Sequence, residues 1–215
     1  MTPFEGRELT CVRGERRVFA GLSFALPPGG ALILTGPNGS GKSSLLRLMA
    51  GLLRPAAGQL VWDGQDIRAD REAHRARLHY VGHLDAIKPV LSAAENLAYW
   101  ADQSDAPAAA VAEALDRLDL AWLGDVAGRL LSAGQRRRLA LARLLVRKAE
   151  LWLLDEPTVG LDDDSLARFH DVLAGHRASG GRAVVATHTP IDLAGAEPLA
   201  LETFAGSALS ELAPW

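Results

Sequence analysis

Residues 36–43 read GPNGSGKS, between the apolar run ALILT (31–35) and the amphipathic stretch KSSLLRLMAGLL (42–53). A loop of the form G-x-x-x-x-G-K-S joining a strand to a helix is built to hold a phosphate chain. Glycines are needed because the backbone N–H groups must close around a phosphate with no side chain in the way. Lys42 adds a positive charge for the β- and γ-phosphates, and the Ser43 hydroxyl suits Mg²⁺. The spacing predicts a nucleotide site, with a helix running from the loop through Leu53.

Two further apolar runs end in groups that such a site needs. ELWLLDE (150–156) reads as a buried strand that delivers Asp155 to a metal shell and Glu156 as a general base for water. RAVVATH (182–188) reads as another, with His188 at its end placed to hydrogen-bond the γ-phosphate. In open α/β sheets, ligands bind at the C-terminal edge of the strands, where all these groups stand.

Around these motifs the chain alternates strand and helix, which predicts an α/β fold with a mostly parallel sheet covered by helices on both faces. ELTCV and VFAGLSFAL, ahead of residue 31, read as an antiparallel β part; QLVWDG, LHYVG (78–82) and PLALE read as further strands. Helices are expected over SAAENLAYWADQ, over AAAVAEALDRL after a break at SDAP (104–107), over 132–148 and near 164–178. The length of 215 residues fits one domain, 1–215, with residues 88–131 as a small helical insertion.

Composition narrows the class. With 48% hydrophobic and 23% charged residues the chain reads as globular, and a net charge of −3 gives no pull toward nucleic acid or anionic lipid. Cys11 is the only cysteine, so no internal disulfide forms. MTPFEGREL lacks a basic-then-apolar signal, and LLRLMAGLL is too short to span a bilayer. Any membrane part is therefore expected from another chain.

One stretch admits two readings. LSAGQRRRLALARLL (131–145) opens with S-x-x-Q, which is either an ordinary capping box or a second anion site at a helix N-terminus. Ser92-Ala93-Ala94-Glu95 has the same pattern with no evident function beyond starting a helix. Arg136, Arg137, Arg138, Arg143, Arg147 and Lys148 fit a solvated face.

The phosphate loop, LSAGQ, LLDEP, GLD (160–162) and TH (187–188) occur in the order found in ABC-type ATPases, and the chain resembles that family over nearly its whole length. The resemblance implies ATP with Mg²⁺, and two copies packed head to tail, the signature segment of one closing the phosphate loop of the other. It implies nucleotide contacts at Gly36, Pro37, Asn38, Gly39, Ser40, Gly41, Lys42, Ser43 and Ser44 in one copy. From the facing copy it implies Ser132, Gly134 and Gln135, with Asp162 at the seam. Metal contacts fall to Ser43 and Asp155, and catalysis to Glu156, His188 and Lys42.

YVGHLDAIKPVLSAAENLAYWA (80–101) and the signature segment are similar to the haem-exporter ATP-binding subunits of cytochrome c maturation. That likeness implies integral membrane partners, a peripheral place on the cytoplasmic face of the inner membrane, haem met only through the complex, and no nucleic acid. The sequence departs from the family at three points. Ala133 replaces a signature glycine, and His83 stands where a glutamine contacting magnesium and the membrane subunit is usual. The first hairpin, TCVRGERRVF, offers Arg13 where an adenine-stacking aromatic is expected, with Phe19 too late. A guanidinium can stack on a base. Three alternatives remain: an ABC-type ATPase of another transporter; an ATPase of this fold acting on nucleic acid or ribosomes, which usually has paired domains or long insertions; and a P-loop kinase or GTPase, which leaves LSAGQ and His188 unexplained.

Overall fold

The computed structural model describes residues 2–103, 106–107, 109–189 and 191–205. Ser104 and Asp105 of the expected SDAP break lie outside them. The chain begins with the long strands β1 (Phe4–Arg13) and β2 (Arg16–Leu26), paired antiparallel through a turn at Gly14. β4 (Ala57–Trp62) and the short β5 (Gln65–Asp66) complete this antiparallel sheet in the order β2-β1-β4-β5. The second sheet contains β3 (Ala31–Thr35), β6 (Leu78–Val81), β7 (Leu151–Asp155), β8 (Arg182–Ala186) and β9 (Ala196–Ala200). All its pairings are parallel, in the order β6-β7-β8-β3-β9.

Alternation along the parallel strands divides the interior in two. Trp152, Leu154, Ala183 and Val185 face a core shared with α3 (Ala93–Ala101), α4 (Ala109–Arg117), α5 (Ala133–Val146) and α6 (Asp163–Ala178). Leu151, Leu153, Val184 and Ala186 face a second core with α1 (Lys42–Met49) and the antiparallel sheet. Both faces are thus covered, as a parallel sheet requires. The apolar residues of the 88–131 segment, Leu97, Ala114 and Leu115 among them, belong to the first core rather than to one of their own.

Among the differences from the sequence reading, two changed bounds and one added helix matter most. α1 stops at Met49, not Leu53: Gly51 takes φ +68°, its N–H returns to Leu48 O (2.9 Å), and that of Leu52 returns to Arg47 O (2.9 Å). This is a Schellman stop, which the leucines on both sides of Gly51 conceal. The last strand covers 196–200 rather than PLALE (198–202), because it pairs with β3 only as far as Thr35, where the phosphate loop begins. α2 (Arg71–Ala76), capped by Asp70 accepting from Ala73 N–H, was not expected, since REAHRA has no apolar stripe.

Candidate active site

Parallel order brings the C-terminal ends of β3, β6, β7 and β8 to one edge of the sheet, and the chain spends its chemistry there. A pocket of about 550 Å³ opens at this edge. From the loop after β3 it takes Asn38, Gly39, Gly41, Lys42, Ser43 and Ser44; from β7, Asp155 and Glu156; from beyond β6 and β8, His83 and His188. Gly36, Pro37 and Ser40 belong to the same loop but do not line the pocket.

α1 is capped differently from its neighbours. α2, α3, α5 and α6 each carry a side-chain cap, whereas α1 starts at Gly41 in a left-handed conformation (φ +105°) with none. Its first N–H groups and the positive end of its dipole therefore remain free for an anion. No side chain fits at Gly41, where a Cβ would lie 2.5 Å from Val18 Cγ1. Buried Lys42 donates to the carbonyls of Gly36 (2.6 Å) and Pro37 (3.3 Å), so its charge is held inside the loop.

Opposite the loop, Glu156 is a non-glycine residue at φ +50°. Its N–H donates to Ala186 O (2.8 Å), tying the end of β7 to that of β8. Its carboxylate accepts from His188 Nδ1 (2.9 Å) and from the His188 backbone N–H (3.3 Å). Asp155 is buried one residue earlier. Among the described residues no group of three or more His, Cys, Asp and Glu forms a metal cage. One hydroxyl (Ser43) and one carboxylate (Asp155) beside a phosphate loop suit Mg²⁺, which keeps water and phosphate oxygens in its shell.

The remaining expected residues lie elsewhere. Ser132, Gly134 and Gln135 are outside the pocket. Ser132 accepts from Gln135 N–H while Gln135 Oε1 accepts from Ser132 N–H, a full capping box, and Ser92 with Glu95 forms the same box on α3. Local geometry is therefore shared by both helices. Asp162 caps α6 by accepting from Ser165 N–H (2.9 Å); the Ser165 side chain first, and this backbone bond second, hold its carboxyl below the usual range. Ser132 and Asp162 are exposed. Arg13 and Arg16, at the tip of the first hairpin, line the pocket with Val18, while Phe19 is fully buried behind Gly41.

The arginines of α5 are not a solvated face. Arg137 and Arg143 are buried, and Arg137 bonds to the backbone on which Asp155 and Glu156 stand. Helical spacing carried the signal: Arg137 falls on the stripe of Leu141 and Leu144, and Arg143 on that of Leu139 and Val146.

Residues 19–159 match the ABC transporter family model. The chain is 61% identical over 202 residues to the cytochrome c biogenesis ATP-binding export protein CcmA of Rhodospirillum rubrum, covering 94% of this chain and 87% of that protein. It is 57% identical over 206 residues to the protein of the same name from Paramagnetospirillum magneticum, covering 94% and 95%. Among solved structures it is similar to cbiO1 of Clostridium perfringens, part of the ABC transporter complex cbiONQ, with TM-score 0.73 and 25% identity over 87% of this chain and 79% of that one.

Proposed function

The chain belongs to the ABC transporter family, and from that premise we propose that it is the ATP-hydrolysing subunit of a membrane exporter serving cytochrome c biogenesis, with haem handled by the assembled complex. The observation that carries the hydrolytic reading is the single pocket in which an uncapped helix start and Lys42 face Glu156 and His188. ATP is the substrate. Its phosphates take the free N–H groups of the loop and of α1, and draw Lys42 from the Gly36 and Pro37 carbonyls. The Glu156 carboxylate accepts the proton of the attacking water as its oxygen bonds to the γ-phosphorus and the bond to ADP breaks. With ATP bound, the His188 backbone N–H keeps hold of that carboxylate while the ring turns from it to donate its one N–H toward the γ-phosphate. Ser43 and Asp155 would hold Mg²⁺, which supplies charge neutralisation on the phosphates.

Ser132, Gly134 and Gln135 are exposed or part-exposed and stand outside this pocket, as segments that complete a partner's site would. The working unit is then a head-to-tail dimer with Asp162 at the seam, mounted on integral membrane subunits at the cytoplasmic face of the inner membrane. Among the described residues no helix is long and apolar enough to cross a bilayer. Glu156→Gln tests the reading: the variant should bind ATP, lose hydrolysis, and sediment as a dimer with ATP in the assembled complex or alone. Undiminished hydrolysis would remove Glu156 as the base.

A further inference from the structure

The Arg137 guanidinium is 5% exposed and all five of its N–H groups meet acceptors. Nη2 donates to Asp155 O (2.8 Å) and Glu156 O (2.6 Å), and Nε to Pro157 O (3.2 Å). Three consecutive carbonyls are thus gripped by one rigid plane, and the middle one belongs to the left-handed residue Glu156. A left-handed non-glycine residue is strained and persists where its surroundings over-determine it. Arg137 supplies that constraint.

Its other edge points to a different loop. Nη1 donates to Gly82 O (3.2 Å) and to Asp85 Oδ1 (3.0 Å), on either side of His83. Asp85 is the only carboxylate among the five acceptors, so it is the charge that keeps the buried guanidinium in place. Arg143, from the same helix, donates to Asp85 O (3.2 Å) and Tyr80 O (3.3 Å) and secures the loop's backbone. Arg137, Asp85, His83 and Glu156 together line one cleft of about 200 Å³, so the two loops face each other across it. Next to Asp85, Leu84 is 81% exposed, so this loop is open to contact from outside.

We propose that Arg137 is the positioning residue of Glu156, and that Asp85 acts through it, so that the placement of the 82–88 loop sets the backbone of the base. The inference rests on Glu156 being the base. A lysine at 137 keeps the charge but cannot span both loops with one planar group.

The test is a double-mutant cycle on the full chain in its membrane complex, reading kcat and the dissociation constant of a fluorescent ATP analogue. Arg137→Lys should lower kcat about tenfold or more, and Asp85→Ala about threefold or more, with the dissociation constant within about twofold of wild type. Because Asp85 acts through Arg137, the double variant should match Arg137→Lys within about twofold. Multiplied losses, or nucleotide affinity falling in step with kcat, would overturn the proposal. If Arg137→Lys does not fold, an unchanged kcat in Asp85→Ala overturns it alone. Lys42→Ala and Glu156→Gln separate the two claims: if neither lowers hydrolysis the active-site reading fails, whereas if both do while the Arg137 and Asp85 variants are silent, only this inference fails.

Discussion

His79 joins β6 to the end of α5, and acid should break that joint. The ring is 9% exposed, and its Nε2–H donates to Arg147 O (2.9 Å), the carbonyl that ends α5. Burial, with the nearby charges of Arg147 and Arg143, pushes its pKa down from 6.5 to about 4. The unfolded chain therefore binds a proton between pH 6.5 and 4 that the folded chain refuses, so stability is lost as pH falls through this window. At pH 5 the unfolded ring is almost fully charged and the folded ring almost fully neutral, a difference of about 2 kcal/mol relative to pH 7. His79→Gln keeps a donor for Arg147 O but has nothing to titrate. Urea unfolding at pH 7 and pH 5 should show wild type losing about 2 kcal/mol more than the variant. Equal losses would refute the reasoning. His176, stacked on Trp152 at 3.7 Å and likewise held to about 4 mainly by burial, adds a loss of the same sign to both proteins and cancels.

Among the described residues Arg13, and no Phe, Tyr or Trp, lines the pocket at the phosphate loop, so ATP and GTP should bind within about tenfold of each other. Arg13→Tyr should tighten ATP by up to ~1–3 kcal/mol of ring stacking in an equilibrium binding assay, and a thousandfold wild-type preference for ATP would contradict this. Gly41→Ala places a Cβ 2.5 Å from Val18 Cγ1 and 3.0 Å from Phe19 Cδ1 at φ +105°. It should cost about 1–3 kcal/mol in backbone strain alone and abolish ATP binding, checked by thermal unfolding and titration; a variant with normal melting and normal affinity would show that the loop is not shaped by this glycine.

The parts of the site that are local in sequence were legible in it. GPNGSGKS, the acids at the end of ELWLLD and the histidine after RAVVAT all reach the sheet edge expected of them, because strand order and periodicity decide that edge. The capping box of Ser132 was equally plain, yet Ser92 forms the same box, so local geometry could not distinguish a start signal from a nucleotide contact. Contacts made across the fold were not legible. Arg137 lies in a run of three arginines that suggests solvent, and its five acceptors come from residues 82, 85, 155, 156 and 157, which meet only once β6 and β7 pair. Helix ends failed where leucines ran past a glycine, as at Gly51, because a φ of +68° leaves no trace in an apolar pattern.

The central claim is that one complete site needs two chains, and mixing two defective chains tests it most directly. Lys42→Ala removes the phosphate contact of its own loop, and Ser132→Arg blocks what α5 offers to a partner; each alone should be inactive. Random pairing makes half the dimers mixed, and each mixed dimer keeps one of its two sites intact, so an equal mixture should recover about a quarter of wild-type ATPase activity. Mixtures no more active than either variant, with heterodimers shown to form, would mean that Ser132 only caps its helix and that each chain hydrolyses alone.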